Sequence, residues 1–417
     1  MRSSVRTYLV RAKKHLYTTK KSGSITKFVV GNESADLDSI ACAIVYGYIQ
    51  TSSSRSHSAQ DIVIPVTNIP AADLSLRPEL TALLTHADVK PEHLITLDDI
   101  KAAGLDSEQT AWTLVDHNVL TGLLAKSFAS RIGGVIDHHE DEDRIPKDAV
   151  PRLIEKSGSC CSLLANYSRP TWDEINSRAS GIGAAIAQDD GRLLDDAAYA
   201  STWTAHVAKL AIGPILIDTI NMTDEHKVTD TDRKALRYLE ALVNIAPRVG
   251  KDYDRDSFFK ELDAAKSDVA GLSVRDLLRK DYKEWDEDDI KLGTGVIVKP
   301  LSFAKSRSDD WEKDISSFME ERGVNVMAVT TAFNDEQGVF HRELALFTTS
   351  DDKAVQTAKA FVATATKELQ LEDQELGLTS GQFGYCHGWT QRNLAASRKQ
   401  SAPLLRKAMQ HRNTAKV

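Results

Sequence analysis

Residues 133–141 have the sequence GGVIDHHED, an apolar run that stops at an acid and is followed by two histidines. Because the run is too short for most helices and begins with two glycines, it predicts a buried β-strand. Binding sites in open α/β sheets collect where the strands end. His138 and His139 therefore lie where a metal ion or a phosphate can bind, although a histidine pair is also compatible with an ordinary core or surface role.

Three other apolar segments of the first half also end in aspartates. These aspartates are Asp36 and Asp38 after the first segment, Asp116 after the second and Asp218 after the third. Because parallel strands end at the same edge of a sheet, we expect one sheet to gather these acids beside the histidine pair.

Predicted strands and helices alternate along the first half, as expected for parallel β-α-β units. We therefore expect an α/β fold with an N-terminal, doubly wound parallel sheet. The strands are predicted at 25–30, 61–69, 93–98, 111–115 and 132–136, and the helices include 40–49, 78–87, 178–188, 195–211 and 231–244.

The sequence IAPRVG at 245–250 interrupts this pattern with proline and glycine and marks a domain boundary. A chain of 417 residues is expected to hold two domains, which we place at 1–245 and 256–417 with a linker at 246–255. The second half predicts a smaller α+β domain with a mixed sheet. Its helices are predicted at 256–267, 274–285, 311–321 and 353–369, and its strands at 294–299, 325–332 and 343–348.

The composition excludes several classes of protein. The net charge of −8 argues against a general nucleic-acid binder, and no apolar segment approaches the roughly 20 residues that span a bilayer. The four cysteines form no C-x-x-C pair, which indicates a reducing compartment and no structural zinc. We expect a cytoplasmic monomer. The basic N-terminus also fits a mitochondrial presequence, and the alternative is a structural helix at 4–16 that buries Val5, Leu9 and Leu16.

Asp36, Asp38, Asp116, His138 and Asp218 form an oxygen-rich set with one imidazole. Converging carboxylates repel one another unless cations neutralise them, and two ions roughly 3.5–4 Å apart can clamp a phosphoryl group for in-line attack. The set contains no thiolate, which favours two divalent cations, Mg²⁺ or Mn²⁺ with Co²⁺ as a further candidate, over a structural zinc. Taken alone, Asp38 also fits a helix N-cap.

Six short motifs resemble those of a known family. They are GNESADLDS at 31–39, DHN at 116–118, DHHED at 137–141, IDT at 217–219, LLRKDYKEW at 277–285 and ASRKQ at 396–400. From about Thr26 onward, the chain resembles the DHH phosphoesterase superfamily, second subfamily. This subfamily includes family II inorganic pyrophosphatases, eukaryotic exopolyphosphatases and prune-like proteins, and the first motif resembles the exopolyphosphatase and prune-like branch.

The resemblance implies roles for individual residues. The five residues of the oxygen-rich set would bind metal, with Asp116 as the catalytic bridge, and His139 would face the scissile phosphate as a donor or general acid. Lys283, Arg398 and Lys399 match the family's phosphate-binding positions, although a basic cluster is also often a solvated face. Asn32 is placed with the substrate-binding residues, at a position where the pyrophosphatases have a histidine metal ligand.

The resemblance as a whole implies a metal-dependent hydrolase that releases orthophosphate from the ends of inorganic polyphosphate. The active site would lie in a cleft between the two domains, with no nucleic-acid or membrane partner. A family II-like inorganic pyrophosphatase and a prune-like regulatory protein that acts through protein partners are the alternatives. Asn32 counts against the pyrophosphatase, because the family's imidazole ligand is missing there.

Overall fold

The computed structural model describes residues 3–18, 24–53, 61–186, 192–287, 289–378 and 381–410, and it describes no side chains between 178 and 199. The chain divides into two compact units, Met1–Lys266 and Ser267–Val417. Within the described residues, no helix is both long and apolar enough to traverse a lipid bilayer.

The first unit alternates strands and helices. Its described strands are β1 (Thr26–Val30), β2 (Val63–Val66), β3 (Thr110–Val115), β4 (Ile132–Asp137) and β5 (Arg152–Ile154). Its described helices are α1 (Val5–Leu16), α2 (Leu37–Ser53), α3 (Pro78–Thr85), α4 (Leu97–Ala103), α5 (Gly122–Phe128), α6 (Cys160–Ile186), α7 (Arg192–Asp218), α8 (Asp230–Asn244) and α9 (Arg255–Ser267).

The five strands form one parallel sheet in the order β2-β1-β3-β4-β5. The chain moves from β1 to β2 on one side and then returns to place β3 on the other side of β1, so the sheet is doubly wound, as predicted. Strand β2 and the end of β1 are fully buried, as expected when helices cover both faces of a parallel sheet. The direction of winding reverses between β1 and β3, which is where such sheets place their ligands.

The glycines that open the DHH strand have a packing role at one position. A Cβ on Gly134 would lie 2.9 Å from Cδ of Pro151, at the start of the neighbouring edge strand. The absence of a side chain therefore allows β4 and β5 to approach each other.

Helix α1 confirms the predicted N-terminal helix. Val5, Leu9 and Leu16 are buried, and the Tyr8 hydroxyl donates a hydrogen bond to the carbonyl of Val63 in β2. The helix thus belongs to the fold of the first unit.

The predicted strand at 93–98 is wrong. Pro91–His93 is a 3₁₀ turn, and only Thr96 makes an isolated bridge to Thr67, next to the end of β2. Thr96 and Asp99 then form a capping box that starts α4. Local capping therefore ends the extended segment after one pairing.

The apolar run before Asp218 is helical and is not a strand of the sheet. It forms the last turns of α7, and its residues Ile212, Ile215 and Leu216 are fully buried. A helix that is apolar on all sides is buried by its neighbours, and such a run has no strand signature of its own. The predicted helices 178–188 and 195–211 fall within α6 and α7, except that residues 187 and 188 lie outside the described residues.

The second unit is an α+β arrangement with a mixed six-stranded sheet, as predicted. The sheet order is β12-β13-β11-β8-β7-β6, in which β7 and β8 are parallel and the other pairs are antiparallel. The described strands are β6 (Tyr282–Glu287), β7 (Ile290–Ile297), β8 (Val326–Thr331), β9 (Phe333–Asn334), β10 (Phe340–His341), β11 (Glu343–Thr348), β12 (Leu371–Asp373) and β13 (Tyr385–Gln391). The described helices are α10 (Val274–Lys280), α11 (Leu301–Lys305), α12 (Trp311–Arg322), α13 (Asp352–Leu369) and α14 (Arg398–Gln410).

The predicted helix at 274–285 is wrong in its second half. Helix α10 ends at Lys280, and β6 begins at Tyr282 and pairs with β7, so that Lys283 lies on a strand opposite Thr294. Pairing with a strand that comes later in the chain overrides the local helical pattern.

The two compact units divide later in the chain than the predicted linker at 246–255. Helix α9, which the sequence analysis assigned to the second domain, buries Phe258 and Leu262 in the core of the first unit. The proline and glycine at 247 and 250 therefore precede the last helix of the first unit.

Candidate metal centre

Asp116 follows β3 directly and lies at the centre of a cluster of polar groups. It has a positive φ of 63° and is 2% exposed. Its Oδ2 accepts hydrogen bonds from Ser39 Oγ at 2.7 Å and Asn32 Nδ2 at 2.8 Å. Its Oδ1 lies 3.3 Å from Nε2 of His138. Neutral donors thus hold one oxygen while the other faces an imidazole.

Asp38 is buried in the first turn of α2 and reaches the N-terminus of α6. Its carboxylate accepts hydrogen bonds from the Ser159 hydroxyl at 2.9 Å and from the backbone N–H groups of Cys160 and Cys161 at 2.6 and 2.9 Å. The small-residue turn before α6 fits a phosphate site or a helix cap by its sequence, and here it binds this carboxylate. Asp36 is exposed, and its Oδ1 accepts the N–H of Ser39 in the first turn of α2.

His138 is oriented from behind by the same turn. Its Nδ1 lies 3.0 Å from the carbonyl of Ser157, which can only accept, so Nδ1 carries the proton. The other ring nitrogen, Nε2, then faces Oδ1 of Asp116. This arrangement, with a backbone carbonyl behind the ring, is typical of metal-binding histidines.

His139 is held by a residue to which the sequence analysis gave no role. Asp137 is fully buried, and its Oδ1 lies 2.7 Å from Nδ1 of His139 and also accepts the backbone N–H groups of both histidines. Asn118 Nδ2 donates to the other oxygen of Asp137 at 2.6 Å. The motifs themselves contain both residues, because Asp137 is the first residue of DHH and Asn118 is the last residue of DHN.

The acids of the cluster act on one another. Burial raises the pKa of Asp38 to about 6, with a further increase from the charge of Asp116. Burial also raises the pKa of Asp218 to about 7, with a further increase from Asp38. Burial has the same effect on Asp116, but the hydrogen bond and charges of His138 and His139 outweigh it and hold the pKa of Asp116 well below its usual range.

The predicted metal ligands therefore come together, although Asp218 arrives from the end of a helix. Nε2 of His138 faces a carboxylate oxygen of Asp116 at 3.3 Å, beside two further acids whose charged forms are disfavoured by burial. Cations between these atoms would offset the cost of the buried carboxylates, and carboxylate oxygens with one imidazole suit Mg²⁺ or Mn²⁺. The donor set thus fits divalent cations.

Two buried thiols lie behind Asp38. Ligand atoms of Asp38, Cys42 and Cys161 lie within 4.8 Å of one another, and the two sulfur atoms are 3.3 Å apart. Burial raises the pKa of both thiols well above the usual value. They are therefore protonated at neutral pH and are poor ligands for hard cations.

Comparison with known proteins agrees with these motifs. Residues 26–186 match the DHH family, N-terminal domain, and residues 260–408 match the DHHA2 domain. A Schizosaccharomyces pombe protein named "Putative exopolyphosphatase" is 35% identical over 410 residues, which cover 97% of this chain and 95% of that protein. The chain belongs to the DHH family.

Two further proteins resemble this DHH chain. A Mus musculus protein named "Exopolyphosphatase PRUNE1" is 29% identical over 384 residues, covering 91% of this chain and 75% of that protein. The crystal structure of a Methanococcus jannaschii protein, described as a "putative family II inorganic pyrophosphatase", matches with a TM-score of 0.55 and 18% identity over 92% of this chain and 100% of that one. At this identity, the structural match shows the fold alone.

Asn32 makes different contacts in the DHH chain from those expected of a substrate-binding residue. It is 4% exposed, its Nδ2 donates to Asp116, and its Oδ1 accepts hydrogen bonds from the backbone N–H and hydroxyl of Ser34. Both ends of the amide thus bind the protein. These contacts hold Asp116 in place, and the assignment of Asn32 to substrate binding stays a prediction.

In the second unit of the DHH chain, an ion pair joins the two segments that carry the predicted phosphate-binding residues. The Arg398 guanidinium lies 2.7 Å from Oδ1 of Asp281 and donates to the Asp281 carbonyl at 3.0 Å. Lys283 is half-buried two residues further along, in β6, and Lys399 is exposed next to Arg398 in α14. The start of α14 therefore lies beside the turn that leads into β6.

Proposed function

We propose that this DHH protein is a metal-dependent exopolyphosphatase that hydrolyses the terminal phosphoanhydride bonds of inorganic polyphosphate and releases orthophosphate. The observation that carries the proposal is that His138 lies 3.3 Å from Asp116, with the buried acids Asp38 and Asp218 close enough that the charges of this cluster add to the effect of burial in raising the pKa of both. The names of the S. pombe and mouse relatives, which cover nearly the whole chain, support the same substrate class.

In this proposal, two divalent cations, Mg²⁺ or Mn²⁺, would be held by Asp36, Asp38, Asp116, His138 and Asp218, with Asp116 as the bridging ligand that both would share. When bound, such ions stabilise the charge that builds on a transferring phosphoryl group and make water a better nucleophile. The chain's part is to hold the carboxylates in place. The donors from Ser39, Ser159 and the start of α6 do so before any substrate arrives.

His139 is the proposed proton donor to the phosphate that leaves. Asp137 accepts a hydrogen bond from the N–H group at Nδ1, which fixes the ring and stabilises its charged form, so proton donation would come from Nε2. The side chain of His139 is 26% exposed, whereas that of His138 is 5% exposed. This difference in access agrees with a catalytic role for His139 and a ligand role for His138.

Lys283, Arg398 and Lys399 are the proposed binding groups for the other phosphates of the substrate. Longer chains of phosphate would gain more charge-assisted hydrogen bonds from such residues than pyrophosphate would. This difference favours a polyphosphatase over the alternative, a family II-like pyrophosphatase. The predicted monomeric state, the cytoplasmic location and the absence of a nucleic-acid partner stay predictions.

The test is orthophosphate release from pyrophosphate, tripolyphosphate and long polyphosphate, each with Mg²⁺, with Mn²⁺ and with excess EDTA. We expect kcat/KM to be higher for tripolyphosphate and longer chains than for pyrophosphate. A preference for pyrophosphate would support the pyrophosphatase, and no hydrolysis of any of the three would support a regulatory role. His139→Gln, prepared in parallel, controls for a contaminating phosphatase.

A further inference from the structure

The turn Ser157-Gly158-Ser159 contacts two of the proposed metal ligands. The carbonyl of Ser157 accepts a hydrogen bond from Nδ1–H of His138, and the hydroxyl of Ser159 donates one to Asp38. The two ligands follow different strands, so the position of this one turn sets both. The turn itself is held by a further residue.

Asp232, in the first turn of α8, binds the backbone of this turn. It is fully buried, and its carboxylate accepts the backbone N–H of Gly158 at 2.9 Å and that of Ser159 at 3.3 Å. The same carboxylate also accepts the N–H and the hydroxyl of Thr229, each at 2.7 Å. One buried acid therefore joins the turn to the start of α8.

The turn has little room to move. A Cβ on Gly158 would lie 2.6 Å from Cγ2 of Thr219 and 3.1 Å from Oδ2 of Asp232. Thr219 directly follows the proposed ligand Asp218. The turn is thus packed between Asp232 and the end of α7, next to a third ligand.

We propose that Asp232 is a positioning residue of the metal centre, which acts through the Ser157-Gly158-Ser159 turn on His138 and Asp38. The inference rests on the proposed metal-dependent function. Residues of this kind, which orient the ligands from behind, typically contribute about 10- to 100-fold to metal affinity or activity. Asp232 lies outside the segment 26–186 that matches the DHH domain.

A simpler role for Asp232 is to cap α8, since it forms a capping box with Thr229. The chain contains a matched example of that role. Thr96 and Asp99 form the same box at the start of α4, with Asp99 Oδ2 accepting the Thr96 N–H at 2.9 Å and the Thr96 hydroxyl at 3.2 Å. Asp99 also contacts Lys13 and Tyr17, and none of these residues has a part in the metal centre.

The experiment compares Asp232→Asn with Asp99→Asn in the full-length protein. Mn²⁺ binding is measured by calorimetry without substrate, together with circular dichroism and the melting temperature in EDTA. We expect both variants to lose some thermal stability and to keep native-like spectra. Only Asp232→Asn should weaken Mn²⁺ binding, by about 10- to 100-fold, and raise the Mn²⁺ concentration needed for half-maximal activity. KM for tripolyphosphate at saturating Mn²⁺ should stay close to that of the parent.

Unchanged Mn²⁺ affinity in Asp232→Asn, or an equal loss in Asp99→Asn, would overturn the proposal. If Asp232→Asn does not fold, Gly158→Ala tests the same link, because it displaces the turn while keeping the carboxylate. That variant should also bind Mn²⁺ more weakly, and parental affinity would overturn the proposal. A parent that binds neither Mn²⁺ nor Mg²⁺ would refute the metal-dependent function itself, whereas a parent that binds Mn²⁺ but hydrolyses a phosphate ester in place of polyphosphate would leave the role of Asp232 intact.

Discussion

The acidic cluster of the first unit and the basic residues at the start of α14 in the second unit differ in how their charges are neutralised. At the metal centre, neutral donors hold Asp38 and one oxygen of Asp116, and burial favours the protonated state of Asp38 and Asp218. In the second unit, Arg398 already has Asp281 as a partner. The carboxylates of the first region therefore need cations to neutralise them, whereas the arginine of the second region already has a carboxylate of its own unit as its counter-ion.

This difference predicts how each region responds to its ligand. Cations that bind the acidic cluster remove an electrostatic conflict, so binding should add stability as well as activity. A phosphate that binds Arg398 has to compete with Asp281, so binding there should contribute to substrate affinity and little to stability. Three experiments test the contrast.

The largest effect is expected from Asp116→Ala, which removes the proposed bridge. Metal catalysis contributes several kcal/mol, and about 1.4 kcal/mol is a factor of ten, so orthophosphate release should fall about a thousandfold or more. EDTA should have the same effect on the parent. Circular dichroism should stay native-like, and Asp106→Ala, an exposed acid before β3, should remain active. Parental turnover in EDTA would refute the metal hypothesis.

A smaller effect is expected from Arg398→Ala. Loss of a charge-assisted hydrogen bond costs about 1.5–3 kcal/mol, or roughly 10- to 100-fold in kcat/KM for tripolyphosphate. Mn²⁺ affinity, measured by calorimetry, should not change. The matched control is Arg406→Ala in the same helix, where the arginine pairs with Glu287. An equal loss in both variants would show that α14 needs its ion pairs for folding and that Arg398 has no special role in binding.

The smallest effect is a pH-dependent shift in melting temperature, measured on the parent and on Asp218→Asn. The folded protein raises the pKa of Asp218 to about 7. An acid with a raised pKa contributes stability below its unfolded pKa, and that contribution is lost as the pH rises through the folded pKa. In EDTA, the melting temperature of Asp218→Asn relative to the parent should therefore rise between about pH 5 and pH 8. Ionisable groups that do not interact with Asp218 cancel in this difference.

With Mn²⁺ present, the order of the two proteins should reverse, because only the parent retains the Asp218 carboxylate for the cation. A constant difference in EDTA between pH 5 and pH 8 would mean that Asp218 is not held as a costly buried anion.

The sequence predicted the parallel sheet and the set of acids because both have strong local signals. Buried strands that end in aspartates, and the DHH motif itself, indicate a site at the carboxyl edge. The helical origin of Asp218 and the strand that carries Lys283 could not be predicted, because each depends on packing against a distant segment. Periodicity cannot distinguish a fully buried helix from a buried strand in a short apolar run.

The supporting residues were missed for a related reason. Asp137, Asn118 and Asp232 act through hydrogen bonds to other residues, and a sequence alone does not reveal the partner of a buried acid. Asp232 has the additional signature of a capping box, which explains its presence without reference to any site. Asn32 was noticed because it departs from the pyrophosphatase pattern, but its contact with Asp116 required the strand order of the sheet.

The position of Asp218 at the end of α7 has a consequence for biosynthesis. The proposed ligands are spread from residue 36 to residue 218, and the acid that fixes the turn behind them is residue 232. Domains form from the N-terminus as the chain is made, so all five strands can be synthesised before the last ligand leaves the ribosome. A nascent chain would then acquire tight cation binding only when the first unit is nearly finished, and metal uptake would report the end of its folding.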